Sequence, residues 1–210
     1  MIETGIVAFT TFFATVGPLD VAAMFAAMTP AATLQSRRSM AFRGTAIAGL
    51  ILLSFALAGE ILLTSLGISL AALKVAAGIL LLLIGIEMVF ARSSGGTSTT
   101  HEETNEAAGK QDISVFPLAT PLIAGPGAIG AVVLLMADTK GNLMAQVIVV
   151  AALLSVLLLT LFLLLIANRV QHFFGVTGKH VVGRVFGVLL TALAVQFMFD
   201  GIAESVLFVR

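Results

Sequence analysis

The sequence predicts an all-α membrane protein with six transmembrane helices in two inverted three-helix repeats, with helices 1 and 4 broken at Gly-Pro. Three observations favour this fold. The chain of 210 residues is 59% hydrophobic and 10% charged, its mean hydropathy is +1.12, and a weak internal repeat superposes two Gly-Pro pairs. Soluble domains carry about 25% charged residues, so the natural solvent of this chain is lipid.

Composition also excludes several classes of function. The net charge of zero excludes a general polyanion-binding role, so we expect no nucleic-acid partner. The absence of cysteine excludes disulfides and thiolate metal sites. The first residues, Met1-Ile2-Glu3, include no basic region, so we expect no cleaved signal peptide.

Six segments are long and apolar enough to span a bilayer, which takes roughly 20 residues per helix. The fifth is the clearest, because residues 141–168 carry no charge. The Ser/Gly/Thr/Glu-rich residues 93–112 are typical of a flexible cytoplasmic loop, which divides the chain into a first repeat at 1–92 and a second at 113–210. The predicted spans are 5–28, 44–64, 70–91, 115–136, 143–168 and 183–205.

The distribution of Lys and Arg predicts that both termini lie outside. Positive residues concentrate on the cytoplasmic side of membrane proteins, and this orientation gives eight inside against three outside. The inner set is Arg37, Arg38, Arg43, Arg92, Lys110, Arg169, Lys179 and Arg184, and the outer set is Lys74, Lys140 and Arg210.

The repeat is visible as two nearly equal shifts. A shift of 108 places Gly17-Pro18 on Gly125-Pro126, and a shift of 109 places residues 78–90 on 187–199, with Glu87 opposite Gln196. Three spans in each half make the second half enter the membrane from the opposite side. Inverted repeats with broken helices are a common plan of transporters.

The second Gly-Pro lies in G-P-G-A-I-G, residues 125–130, which has the spacing of a dinucleotide-binding loop. A dinucleotide-binding loop is not expected here, because no charged residue lies between Asp112 and Asp138 and residues 149–151, about 20 positions after Gly130, are apolar where an acidic residue would bind the ribose. Proline suits the first turn of a helix, so each Gly-Pro is expected to end one half-helix and start another. Two such breaks indicate one shared polar cavity; the alternative is that both prolines only kink packed helices.

Asp20 is the most informative polar residue within a predicted span. A mid-membrane Asp costs roughly 2.5–3.5 kcal/mol on insertion scales, so it should face protein or water. It either caps the break, binds a substrate ammonium or carries a coupling proton. Glu87 and Gln196 are candidates to line the same cavity, although Glu87 could reach the inner interface and Gln196 could bond another helix. Thr120 offers a hydroxyl beside Pro121 and the second break.

The remaining polar residues are expected to have structural roles. We expect solvated side chains near the outer ends at Glu60, Lys74, Asp200 and Glu204. His101, His172 and His180 have no spacing that supports a metal site, and Gly183 and Gly187 form a G-x-x-x-G pattern that usually packs helices.

The chain resembles the MarC family of bacterial inner-membrane proteins over nearly its whole length. The resemblance rests on FPLATPLIAGPGAIG in the fourth span, AGILLLLIGIEMVF in the third and GVLLTALAVQFMFDGI in the sixth. It implies a six-span protein that moves small neutral amino acids such as alanine and glycine, mostly outward. The family's first span usually reads D-P-L-G-N, whereas Gly17-Pro18-Leu19-Asp20 has the acid after the proline.

The resemblance, together with the two helix breaks, implies a secondary transporter of small neutral amino acids that exports them across a bacterial inner membrane without a cofactor. Coupling to a proton, to an ion or to nothing stays open, as does homo-oligomerisation. An exporter of another solute, ion or drug is the alternative; an intramembrane enzyme is disfavoured, because no catalytic set of residues faces Asp20. The expected substrate-binding residues are Gly17, Pro18, Asp20, Glu87, Thr120, Pro121, Gly125, Pro126, Gly127 and Gln196.

Overall fold

A computed structural model describes residues 1–30, 32–91 and 112–205, except for the side chains of Glu60, Lys179 and residues 168–177. Within these ranges the chain forms helices and no strand, which confirms the all-α prediction. Among the described residues, five helices are long and apolar enough to cross a membrane, or six when one bent pair is counted as a span. Of the predicted loop at 93–112, only Asp112 lies in the described part.

The first predicted span consists of two helices, α1 (Ile2–Val16) and α2 (Pro18–Met28). Gly17 joins them in the left-handed conformation, with φ 59° and ψ 59°, a region that residues with a Cβ adopt at a steric cost. Pro18 occupies the first position of α2, where its missing N–H is not needed. Together the two helices make one candidate span, Ile2–Met28.

The second and third spans are continuous helices with polar caps. Helix α3 (Leu34–Ser65) begins after Thr33, whose side chain accepts a hydrogen bond from the Ser36 backbone. Helix α4 (Leu70–Phe90) begins after Ser69, which caps Ala72 in the same way. Such caps satisfy N–H groups that have no partner within the helix.

The fourth span differs most from a regular helix. Its first part, Ser114–Ile123, which we term the proline segment, winds in wide turns and leaves helical geometry at Phe116 and Thr120. Pro117 and Pro121 remove two backbone donors inside it. Helix α5 (Pro126–Asp138) follows, bent by 55° from the proline segment, so residues 115–136 do not form one straight span.

The remaining helices are α6 (Leu143–Leu165) and α7 (Ala167–Glu204). Helix α7 packs mainly against α4, α1 packs against α6, and α3 packs against the proline segment and α5. The α4–α7 contact is close because small residues meet: a Cβ at Gly78 would lie 2.8 Å from the carbonyl oxygen of Ala194, and one at Gly85 would lie 3.0 Å from that of Gly187. The two helices therefore run antiparallel.

Candidate functional site

Asp20 lies beside the junction of α1 and α2. It is half-buried in the first turn of α2, and its side chain folds back over Gly17. Its Oδ2 atom lies 3.6 Å from the position that a Cβ at Gly17 would take. Gly17 has no side chain with which to cap α2. The carboxylate of Asp20, in the first turn, interacts favourably with the positive end of the α2 dipole.

A small crevice opens beside Asp20. It leaves room for about one water molecule. The rings of Phe13 and Phe186, with centroids 4.2 Å apart, form part of its wall. Its described lining residues are Phe13, Gly17, Pro18, Leu19, Asp20, Met88, Val182, Gly183 and Phe186.

The second Gly-Pro pair precedes helix α5, and neither Gly125, Pro126 nor Gly127 is among the described lining residues of the crevice. Helix α5 starts at Pro126 with Gly125 before it; Gly125 and Gly127 are buried and Pro126 is exposed. A Cβ at Gly127 would collide with Cδ1 of Ile84 and lie 3.9 Å from the Cβ of Thr15. The last turn of α1 and the first turn of α5 are thus neighbours, with Gly127 between them.

Thr120 and Pro121 lie in the proline segment, and both are half-buried. The Thr120 hydroxyl donates to the carbonyl oxygen of Val115 at 3.4 Å, a long hydrogen bond. Neither residue is among the described lining residues of the crevice. They precede the start of α5 by a few residues along the chain.

Glu87 and Gln196, which the sequence proposes for one cavity, have different surroundings. Glu87 is half-buried, and its Oε2 atom is buried with no hydrogen-bond partner among the described residues; its neighbour Met88 lines the crevice. Gln196 is exposed and donates to Asp200 at 2.7 Å. The reason is helical geometry, since two positions rotate Gln196 by about 200° from Ala194, the residue that faces α4.

Lys74 is buried, and the prediction that it is solvated is wrong. Its side chain is 5% exposed, and its Nζ atom lies 2.6 Å from Asp138 and 2.7 Å from Glu204. Two carboxylates from other helices explain how a charged group can be buried here. Glu204 is about half exposed and Asp200 is half-buried, while the side chain of Glu60 lies outside the described part.

Sequence reasoning missed several residues around Asp20. Phe13, Met88 and Phe186 carry no polar signal, and only the packing of α1, α4 and α7 brings them together. Asp138 had a detectable signal, because it is the first charged residue after Asp112. Of the predicted G-x-x-x-G pair, Gly187 packs against Gly85, whereas a Cβ at Gly183 would meet no described atom within 4 Å.

Helix starts with free N–H groups attract carboxylates, and an aspartate attracts an ammonium. Within the described ranges, no three His, Asp or Glu side chains gather as a possible metal site. His101 and the side chain of His172 lie outside those ranges.

Comparison with known proteins identifies the family. Residues 2–206 match the model of the MarC family integral membrane proteins. A membrane protein of Methanocaldococcus jannaschii is 38% identical over 203 residues, which cover 96% of this chain and 97% of the relative. A membrane protein of Bacillus subtilis is 31% identical over 196 residues, covering 92% of each. No solved structure matches the chain. Similarity over nearly the whole length, together with the apolar helices, makes this chain a member of the MarC family of integral membrane proteins.

Proposed function

We propose that the protein is a secondary transporter that exports small neutral amino acids of the alanine and glycine type. The observation that carries this proposal is the close approach of the first turn of α5 to the last turn of α1, where a Cβ at Gly127 would lie 3.9 Å from the Cβ of Thr15. In this proposal the starts of α2 and α5 and the Asp20 carboxylate all face the substrate. Helix starts can hold the substrate carboxylate, and Asp20 can hold its ammonium.

The crevice must open before it can hold an amino acid. Its space for about one water molecule is too small for an amino acid, so loading requires the walls to separate. Gly17 and Gly183 leave those walls without side chains, whereas Phe13 and Phe186 close them. A modest separation of α1 from α7 would admit glycine or alanine before it admitted a larger side chain.

Alternating access between two inverted repeats is part of the proposal. Under the shift of 109, the pair Gly78 and Ala194 becomes the pair Gly187 and Gly85, and both pairs are in contact between α4 and α7. The wider packing agrees, since α1 against α6 corresponds to the fourth span against α3. In this plan helices 1 and 4 are the broken ones, and their junctions hold the substrate.

We further propose a bacterial inner membrane location with both termini outside. The ion pairs support this grouping of helix ends: Lys74 joins Asp138 and Glu204, three residues assigned outside, and Arg43 joins Asp112, two assigned inside. Terminal reporters that work only in the cytoplasm should therefore be silent. Homo-oligomerisation is also proposed, with the exposed Gln196 as a polar contact on the outer side of α7.

A flux screen tests the function. Purified protein in liposomes is loaded with radiolabelled amino acids, inorganic cations or drugs, and efflux is compared with that from protein-free liposomes. Efflux of alanine and glycine, competed by small neutral amino acids, is the expected result. Efflux confined to cations or drugs would favour the alternative exporter, and release of chemically altered substrate would favour an enzyme.

A further inference from the structure

Three helix ends meet at one buried lysine. Lys74, in the second turn of α4, lies between Asp138 at the end of α5 and Glu204 at the end of α7, with N–O distances of 2.6 and 2.7 Å. The lysine side chain is 5% exposed, whereas the two carboxylates are 40% and 49% exposed. We term these three residues the outer ion cluster.

The outer ion cluster and the Asp20 crevice lie at opposite ends of the α4–α7 pair. Met88, which lines the crevice, is 14 residues after Lys74, a distance of about 21 Å along a helix. Between them, Gly78 and Gly85 bring the two helices into backbone contact. The outer end of the interface is therefore held by charge, and the crevice belongs to the inner end.

The cluster has no counterpart in the other repeat. The shift of 109 takes Lys74 to Gly183 and Glu204 to Gly95, and the shift of 108 takes Asp138 to Pro30. None of these three positions can carry a charge. The repeat that relates the glycine contacts therefore does not explain the ion cluster, which is particular to one side of the membrane.

We propose that the outer ion cluster is the latch of the outward gate. This inference rests on the proposed transport function, because a gate is needed only where substrate leaves. Release to the outside requires the end of α4 to separate from the ends of α5 and α7, which breaks both ion pairs. A lysine left without partners in a buried place is strongly disfavoured, so the closed state is held until substrate loading supplies a compensating interaction.

Cysteine accessibility tests the latch without any transport measurement. Ala77, one turn after Lys74 on α4, is buried, and the chain has no native cysteine. Ala77→Cys should react slowly with a charged, membrane-impermeant thiol reagent in liposomes. Adding Lys74→Gln should speed this labelling at least about tenfold, as expected from a population shift towards the open state. Leu66→Cys, at the exposed turn before α4, is the control that should label quickly in both backgrounds.

A charge exchange separates a latch from general loosening. Lys74→Glu gathers three carboxylates and should leave Ala77→Cys fast; adding Glu204→Lys restores one positive and two negative groups and should return slow labelling. If Lys74→Gln fails to fold, Asp138→Asn and Glu204→Gln carry the same test. Folded variants in which Ala77→Cys stays as slow as in the parent would overturn the latch. Changed labelling with no amino acid flux would instead leave the latch standing and refute the proposed substrate.

Discussion

Thr15 and Gly127 belong to different halves of the chain, yet a Cβ at Gly127 would lie 3.9 Å from the Cβ of Thr15. This contact joins the end of α1 to the start of α5. The close approach requires glycine at position 127, because a side chain there would collide with Ile84.

The first prediction concerns this contact. Gly127→Leu should force α1, α4 and α5 apart, lower stability by about 1–3 kcal/mol as overpacking does, and stop transport. The matched control is Gly130→Leu, since a Cβ at Gly130 would meet nothing within 4 Å. Thermal unfolding in detergent and flux in liposomes measure the two effects; equal behaviour of the two variants would show that the junctions do not depend on close approach.

The α4–α7 interface gives a second prediction. Gly85→Ala places a methyl group 3.0 Å from a backbone oxygen of the facing helix, and Gly187→Ala places one 2.9 Å from such an oxygen. Both distances are too short for an ordinary contact. Backbone cannot rotate away as a side chain can, so each should lower the unfolding temperature. Gly183→Ala on the same helix as Gly187 meets open space and should be neutral or stabilising, because alanine favours a helix over glycine.

Composition and spacing were sufficient for the helical class and for most helix ends. Three helices begin at residues that favour a helix start, namely the caps Ser69 and Asn142 and the proline Pro126. Such local preferences can be recognised in a sequence. The wide turns of Ser114–Ile123 were less predictable, because its two prolines indicate irregularity without specifying which backbone groups find partners.

The site was predicted only where the residue's own helix decides its surroundings. Asp20 follows a helix junction, so its place beside Gly17 could be expected. Burial of Lys74 depends on Asp138 and Glu204, which lie on other helices, and exposure of Gln196 depends on which face of α7 meets α4. Both follow from tertiary packing, which a single sequence does not display.

A third prediction concerns acid. Hydrogen bonding by Ser114, followed by the charge of Arg43, holds the pKa of the Asp112 carboxyl below its ordinary value. A lowered carboxyl pKa contributes stability that is present above the unfolded-state pKa and lost as pH falls through the folded-state pKa. Asp112→Asn should therefore weaken the acid dependence of unfolding. The change in the free energy of unfolding should stay within about 1 kcal/mol, because the Arg43–Asp112 pair is exposed. The same pH dependence of unfolding in both proteins would contradict a lowered pKa of Asp112.

A fourth prediction concerns access to the crevice. Leu19 is half-buried and lines the crevice beside Asp20, so Leu19→Cys should react with a small polar thiol reagent and be protected by added alanine. Leu122→Cys in the proline segment, where Leu122 is 2% exposed, is the buried control and should stay unreacted. If Leu19→Cys does not react in active protein even without alanine, water does not reach the crevice.

The central claim is that the Asp20 carboxylate binds the substrate ammonium or carries a coupling proton during export. The most direct test compares efflux of radiolabelled alanine from liposomes that contain wild-type protein or Asp20→Asn. Asn caps a helix as well as Asp does but lacks the charge that pairs with an ammonium or carries a proton. The account predicts alanine efflux by the wild type and a loss of at least about tenfold in the folded variant, which corresponds to roughly 1.4 kcal/mol of interaction. Full activity of Asp20→Asn would reduce Asp20 to a cap, and absence of alanine efflux from folded wild-type protein would contradict the proposed function itself.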